Sequence, residues 1–132
     1  MLAVCQEQGI ECTAIPRIAT PFGGGIGGRG EVCGAVTGAV MAIGLKHGRE
    51  EPSQPNKYAY ALAREFCRRF EEETGHLYCR DLTGMDLSTA EGVQAYRRSD
   101  VPLRVCMPAV GAAFRLAIEL VERPAPAADT EL

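Results

Sequence analysis

The sequence has no excess of basic residues. Its 132 residues include 14 lysines and arginines against 17 aspartates and glutamates, which gives a net charge of −3. Proteins that bind DNA or RNA, or that lie on anionic lipid, present a concentrated basic face. The composition therefore argues against both of these functions, and we expect no nucleic-acid partner.

Long apolar runs are also absent. The longest one, over residues 32–45, has about 14 residues, fewer than the roughly 20 that a membrane-spanning helix needs. The first residues, MLAVCQEQG, have neither the charged start nor the long apolar stretch of a secretory signal. We therefore expect no transmembrane segment and a cytoplasmic location.

No segment alternates convincingly between apolar and polar residues in the manner of a strand. Apolar residues instead recur at helical spacing, and we predict helices over residues 31–46, 57–74 and 89–97 and in a last segment that ends near residue 122. Asn56 and Gly75 are suited to begin and end the second of these helices. Ser88 and Glu91 have capping-box spacing at the start of the third.

These elements predict an all-α fold. We expect a compact bundle of about five helices, with a glycine-rich loop before the central helix. Residues 1–123 would form a single helical domain. The tail, residues 124–132, is rich in proline and alanine, and we predict that it is disordered.

Six cysteines are present, yet no two of them form a Cys-X-X-Cys pair. This absence argues against a paired zinc site, a thioredoxin-like site and covalent haem attachment. A disulfide framework is not expected in a chain with a full-sized core and no export signal. The cysteines are then metal ligands, catalytic groups or small buried residues, and each must be assigned separately.

Two kinds of cysteine can be separated first. Cys67 lies between Phe66 and Phe70 in a strongly amphipathic segment, which is typical of a small buried hydrophobic residue. Cys5 and Cys12 are seven residues apart and have no ligand spacing around them, so the sequence leaves their roles open.

Cys33, Cys79 and Cys106 each stand at a predicted junction. Cys33 follows the loop PFGGGIGGRG and opens a helix, and Cys79 precedes the turn DLTG. If the last helix begins near Met107, Cys106 lies at its N-terminus, whereas a start near Pro102 would place a kink beside Cys106. Thiols at helix N-termini have lowered pKa values, and the thiolate is the form that binds metals and attacks disulfides. We predict that these three cysteines are redox-active thiols and the ligands of any metal.

Glycines surround the first of these cysteines. Gly34 and Gly38 are four residues apart and share one face of the predicted central helix. They allow either close packing of another element or room beside Cys33 for a cofactor. Gly23, Gly24 and Gly25 belong to a loop whose free backbone N–H groups would surround anionic sulfur. We therefore predict all five glycines as cofactor-binding residues.

Three stretches, PFGGGIGGRGEVCGAVTGAVMAIGLKHG, YCRDLTG and RVCMPAVGAA, resemble the C_GCAxxG_C_C family of redox-active proteins. Related sequence occurs in the split-Soret type of cytochrome, where it accompanies haem and a proposed iron–sulfur site. The resemblance implies a helical fold and a cysteine-based redox or cluster-binding role. It also implies a partner that is an oxidoreductase or is associated with a transporter, because members are often encoded beside such genes.

The family's cysteines fall on Cys33, Cys79 and Cys106, the three that the junctions single out. The family pattern has a further cysteine near its start, in an Asn-Cys context. Either that cysteine precedes Met1, or Cys5 or Cys12 takes its place.

Three functional hypotheses follow. In the first, the thiolates hold an iron–sulfur cluster or another thiophilic metal for electron transfer. Such clusters usually take four thiolates, so the fourth ligand would come from upstream, from Cys5, from solvent or from a second protomer in a homo-oligomer. In the second, the cysteines form a reversible thiol–disulfide pair. In the third, the protein is a non-catalytic helical accessory protein with structural cysteines.

Overall fold

The computed structural model describes residues 1–126. Within that range the helices are α1 Leu2–Glu7, α2 Ile15–Ala19, α3 Gly23–Ile26, α4 Gly34–His47, α5 Lys57–Thr74, α6 Cys79–Thr83, α7 Ala90–Arg98 and α8 Met107–Val121. A 3₁₀ turn, Thr20–Phe22, precedes α3, and a π-helical turn, Pro102–Cys106, leads into α8. The described residues contain no strand, only one isolated antiparallel bridge. The predicted all-α class is confirmed.

Three long helices, α4, α5 and α8, pack on one another and enclose the core. From α5, Leu62, Phe66 and Phe70 are fully buried, and the two phenylalanine rings stack with their centroids 5.9 Å apart. The buried face of α8 consists largely of alanines, which allow the neighbouring helices to approach closely. Burial of these apolar side chains supplies most of the driving force for folding.

The predicted bounds of α5 are confirmed at both ends. Asn56 precedes it without a side-chain capping bond, and Gly75 ends it in the left-handed conformation, with φ +94°. The start of α4 differs from the prediction. This helix begins at Gly34 instead of residue 31, because Glu31 and Val32 are held in extended pairing with a distant segment.

The cap of α7 also differs from the prediction. Thr89, and not Ser88, is the N-cap residue, and its hydroxyl oxygen accepts a hydrogen bond from the Gly92 amide at 3.0 Å. Ser88 does not cap the helix, because its amide and its hydroxyl both donate hydrogen bonds to the Asp86 carboxylate. The predicted pairing of Ser88 with Glu91 is therefore wrong.

The last helical segment combines the two starts that the sequence leaves open, because a π turn begins at Pro102 and the α-helix α8 begins at Met107. Backbone dihedrals stay helical from Val101 through Cys106 into α8, and the Met107 amide bonds to the Pro102 carbonyl five residues back. Pro108 cannot donate a helical hydrogen bond, and a proline ring clashes with the carbonyl of the preceding turn. The wider π turn accommodates that ring.

No helix in residues 1–126 is by itself long and apolar enough to cross a membrane, although the bent pair Ala90–Arg98 and Pro102–Val121, at 75°, meets the criteria of length and composition. The predicted domain boundary after residue 123 stays a prediction. Of the predicted tail, residues 127–132 lie outside the described residues, and the Pro124 carbonyl accepts a hydrogen bond from the Tyr58 hydroxyl at 3.0 Å.

Candidate functional site

The isolated bridge between Val32 and Tyr78 brings two of the predicted cysteines together. The Cys33 amide donates to the Leu77 carbonyl at 2.8 Å, and the Cys79 amide donates to the Glu31 carbonyl at 2.7 Å. Val32 and Tyr78 lie opposite each other in this bridge, and Cys33 and Cys79 are the residues that follow them. In an antiparallel pair such residues are diagonal neighbours, whose side chains point to the same face and lie about 7–8 Å apart. Cys33 and Cys79 therefore share one face of the bridge.

Cys79 is held against the glycine-rich loop. Gly25 has φ +69°, and a Cβ added to it would lie 2.8 Å from Cys79 Cβ and 2.6 Å from the Glu31 amide nitrogen. Neither approach is sterically allowed for any residue with a side chain. The absence of a side chain at Gly25 thus allows Cys79 to pack on the loop backbone, where its exposed fraction falls to 8%.

The third predicted cysteine, Cys106, belongs to the C-terminal part of the chain and lies at the boundary between the π turn and α8. Its side chain is half-buried, and its sulfur accepts a hydrogen bond from the Tyr96 hydroxyl of α7 at 3.3 Å. Tyr96 was not predicted from the sequence. Ten residues and a break between helices separate it from Cys106, and no spacing rule connects two such positions.

Electrostatic coupling links these groups. Burial first, and then the charges of Cys33 and Cys106, raise the pKa of the Cys79 thiol to about 11. The pKa of Tyr96 rises to about 12, first through its hydrogen bond to Cys106, then through burial, and then through the charges of all three thiols. Four side chains from four separate segments thus share one electrostatic environment.

The predicted lowering of the thiol pKa is wrong for Cys79. The amide of Cys79 and that of Arg80 at the start of α6 already donate to carbonyls of the glycine-rich loop, the Arg80 amide to Gly30 at 3.1 Å. They are therefore not available to stabilise a thiolate, and burial prevails. Cys106 is the N-cap residue of α8, as one predicted alternative has it, but the helical path continues back through the π turn and the Met107 amide is already bonded to the Pro102 carbonyl.

Part of the loop's backbone is already paired. The amide of Gly27 donates to Pro21, that of Gly30 to Gly24 and that of Glu31 to Gly25. The loop is therefore a self-contained turn that shapes the wall beside Cys79.

The glycines of α4 are explained by close packing. A Cβ on Gly34 would lie 3.2 Å from the Phe22 carbonyl oxygen, and one on Gly38 would lie 3.2 Å from the Met1 nitrogen. Gly23 has open space, and Gly24 lies near Leu87. The role of the five predicted glycines, Gly23, Gly24, Gly25, Gly34 and Gly38, in binding a cofactor stays a prediction.

No three His, Cys, Asp or Glu side chains within residues 1–126 are arranged to hold a metal ion. The sulfurs of Cys33, Cys79 and Cys106 thus lie within electrostatic range of one another without forming a ready donor set.

The remaining cysteines lie apart from this environment. Cys5 is buried on α1, and its pKa is raised. Burial is the largest cause; the N-terminal amine opposes it, and the charge of Cys12 adds to it. Cys67 is half-buried against the core, and burial and the charge of Glu71 raise its pKa. Its location agrees with the predicted role as a small core residue.

Comparison with known proteins identifies one family. The family profile described as "Putative redox-active protein (C_GCAxxG_C_C)" matches residues 1–120. No curated protein and no solved structure matches the chain. The profile covers nearly all of the described residues and all three clustered cysteines. The chain therefore belongs to the C_GCAxxG_C_C family of redox-active proteins.

Proposed function

We propose that this protein carries out thiol–disulfide exchange with Cys33, Cys79 and Cys106 as its redox centre. The observation that carries the proposal is the bridge that brings Cys33 and Cys79 to one face, with the charges of Cys33 and Cys106 both acting on Cys79. Cys79 is the thiol on which the charges of both others act, and we assign it as the partner of either one in the proposed disulfide.

The reaction conserves atoms and electrons. Two cysteine thiols lose two protons and two electrons as their sulfurs join, and a substrate disulfide takes up both and becomes two thiols. The protein's new disulfide must then be reduced again before the next reaction. A dithiol reductant carries out this step, which supports an oxidoreductase as partner. We propose the cytoplasm as the location, because glutathione and thioredoxin keep protein thiols reduced there.

Counting thiols tests this proposal. We expect mild oxidation of the full chain to remove two of the six thiols reversibly, and peptide mapping to find Cys79 in the new disulfide. Cys67 should remain alkylatable after the chain is denatured. Six unchanged thiols would contradict the proposal and would favour a helical accessory protein with structural cysteines.

An iron–sulfur cluster or thiophilic metal on the same three cysteines is a second candidate. The meeting of three sulfurs from distant segments favours it, because soft metals and clusters take thiolate ligands. The sulfurs would have to move closer, since they form no donor set as placed. Anaerobic reconstitution with iron and sulfide tests it through the visible spectrum, and a colourless, iron-free product would contradict it.

A further inference from the structure

An open groove of about 580 Å³ lies along the start of α8, and Cys106 is one of the residues that line it. Its walls include Met107, Val110 and Phe114 from α8 and Tyr96 from α7. Among the described residues that line it, the polar side-chain groups are the Tyr96 hydroxyl and the Cys106 thiol. Met107 and Val110 expose 62% and 57% of their surface. A half-buried thiol thus lies on the wall of an uncharged, apolar groove.

We propose that Cys106 is the thiol that meets the substrate, and that this groove binds an uncharged, apolar disulfide. The inference rests on the proposed function and names its substrate class. Cys79 is too buried to be reached directly by a disulfide of any size, whereas Cys106 opens onto the groove. A charged disulfide would find no ion-pairing partner on these walls and would lose its hydration.

Tyr96 acts as a positioning residue in this scheme. Its hydroxyl donates a hydrogen bond to the Cys106 sulfur, and a donor at this place stabilises negative charge on the sulfur. The thiolate is the attacking form. The hydrogen bond also fixes the direction in which the sulfur meets a molecule in the groove.

The reaction proceeds in two balanced steps. The Cys106 thiolate attacks one sulfur of the substrate, a mixed disulfide forms, and the other half leaves as a thiolate that takes a proton from solvent. Cys79 then loses its proton and attacks the Cys106 sulfur. The second half of the substrate leaves as a thiol, and a Cys79–Cys106 disulfide remains.

The experiment compares two uncharged reagents on the full chain, with 4,4′-dithiodipyridine as the apolar disulfide and iodoacetamide as the small probe. Val110 lies one helical turn beyond Cys106 and is well exposed, so Val110→Gln should fold normally. We expect Val110→Gln to lower the dithiodipyridine-to-iodoacetamide rate ratio at Cys106 about fivefold, because apolar binding is lost.

The matched control is Leu45→Gln, since Leu45 is 44% exposed on α4 and does not line the groove. This variant should leave the ratio unchanged. Equal ratios in the wild type and in both variants would overturn the groove as the binding site.

Tyr96→Phe separates positioning from binding. We expect it to slow both reagents at Cys106 by about fivefold to tenfold at neutral pH, because a hydrogen bond to a charged group is lost, and to leave their ratio intact. Unchanged rates would overturn the role of Tyr96.

The fate of the mixed disulfide distinguishes this inference from the function it rests on. A groove-dependent mixed disulfide that never passes to Cys79 would support the binding site and contradict exchange. A Cys79–Cys106 disulfide that forms equally fast in the wild type and in Val110→Gln would support exchange and overturn the groove.

Discussion

Replacing Gly25 with alanine is expected to lower the free energy of unfolding by about 3 kcal/mol or to prevent folding. The left-handed backbone at φ +69° costs an L-residue about 1–2 kcal/mol. The new methyl group would also overlap Cys79 Cβ and the Glu31 backbone, and overpacking of this kind costs about 1–3 kcal/mol. Denaturant unfolding followed by circular dichroism measures the loss.

The matched control is Gly27→Ala. Gly27 has φ +61° in the same loop, but nothing lies within 4 Å of the position of an added Cβ. This variant should lose only the backbone contribution, about 1–2 kcal/mol. Equal losses at the two positions would show that the loop does not pack closely on Cys79.

Replacing Cys79 with alanine is expected to abolish reversible disulfide formation. Cys79 is the thiol whose ionisation depends on both Cys33 and Cys106, and without it neither remaining thiol has its central partner. The measurement is the fraction of disulfide at equilibrium with a series of reduced and oxidised glutathione mixtures. The wild type should titrate between two states, and Cys79→Ala should not titrate.

Cys67→Ala is the matched control for that experiment. Cys67 is also partly buried and also has a raised pKa, yet it packs in α5 against the core, away from the three thiols. Its replacement should leave the glutathione titration unchanged. If Cys67→Ala abolished the transition and Cys79→Ala did not, the centre would have been assigned to the wrong cysteines.

The sequence predicts much of this fold because its helices have strong local signals. The amphipathic pattern of α5 and the glycine at its end specify bounds that the structure reproduces. Local signals do not predict the bounds of an element when those bounds depend on contacts with a distant segment. The start of α4 depends on the pairing of Val32 with Tyr78, more than forty residues away, and no local pattern reveals this pairing.

The chemistry of the site was less predictable than its residues. Junction positions and the family resemblance selected Cys33, Cys79 and Cys106, but a helix N-terminus suggested a lowered pKa for Cys79. Whether the first amides of a helix are free depends on their partners, and here loop carbonyls occupy them. The Tyr96 contact is purely tertiary, and so it could not be inferred from spacing.

The most direct test of the shared environment is a pH titration of Cys79, followed by the ¹³Cβ chemical shift of its side chain. We expect a pKa of about 11 in the wild type, against an ordinary value of 9.0. In the Cys33→Ser, Cys106→Ser double variant this pKa should fall, because two neighbouring thiolates no longer oppose the charge on Cys79. An identical pKa in both proteins would contradict the convergence of the three thiols.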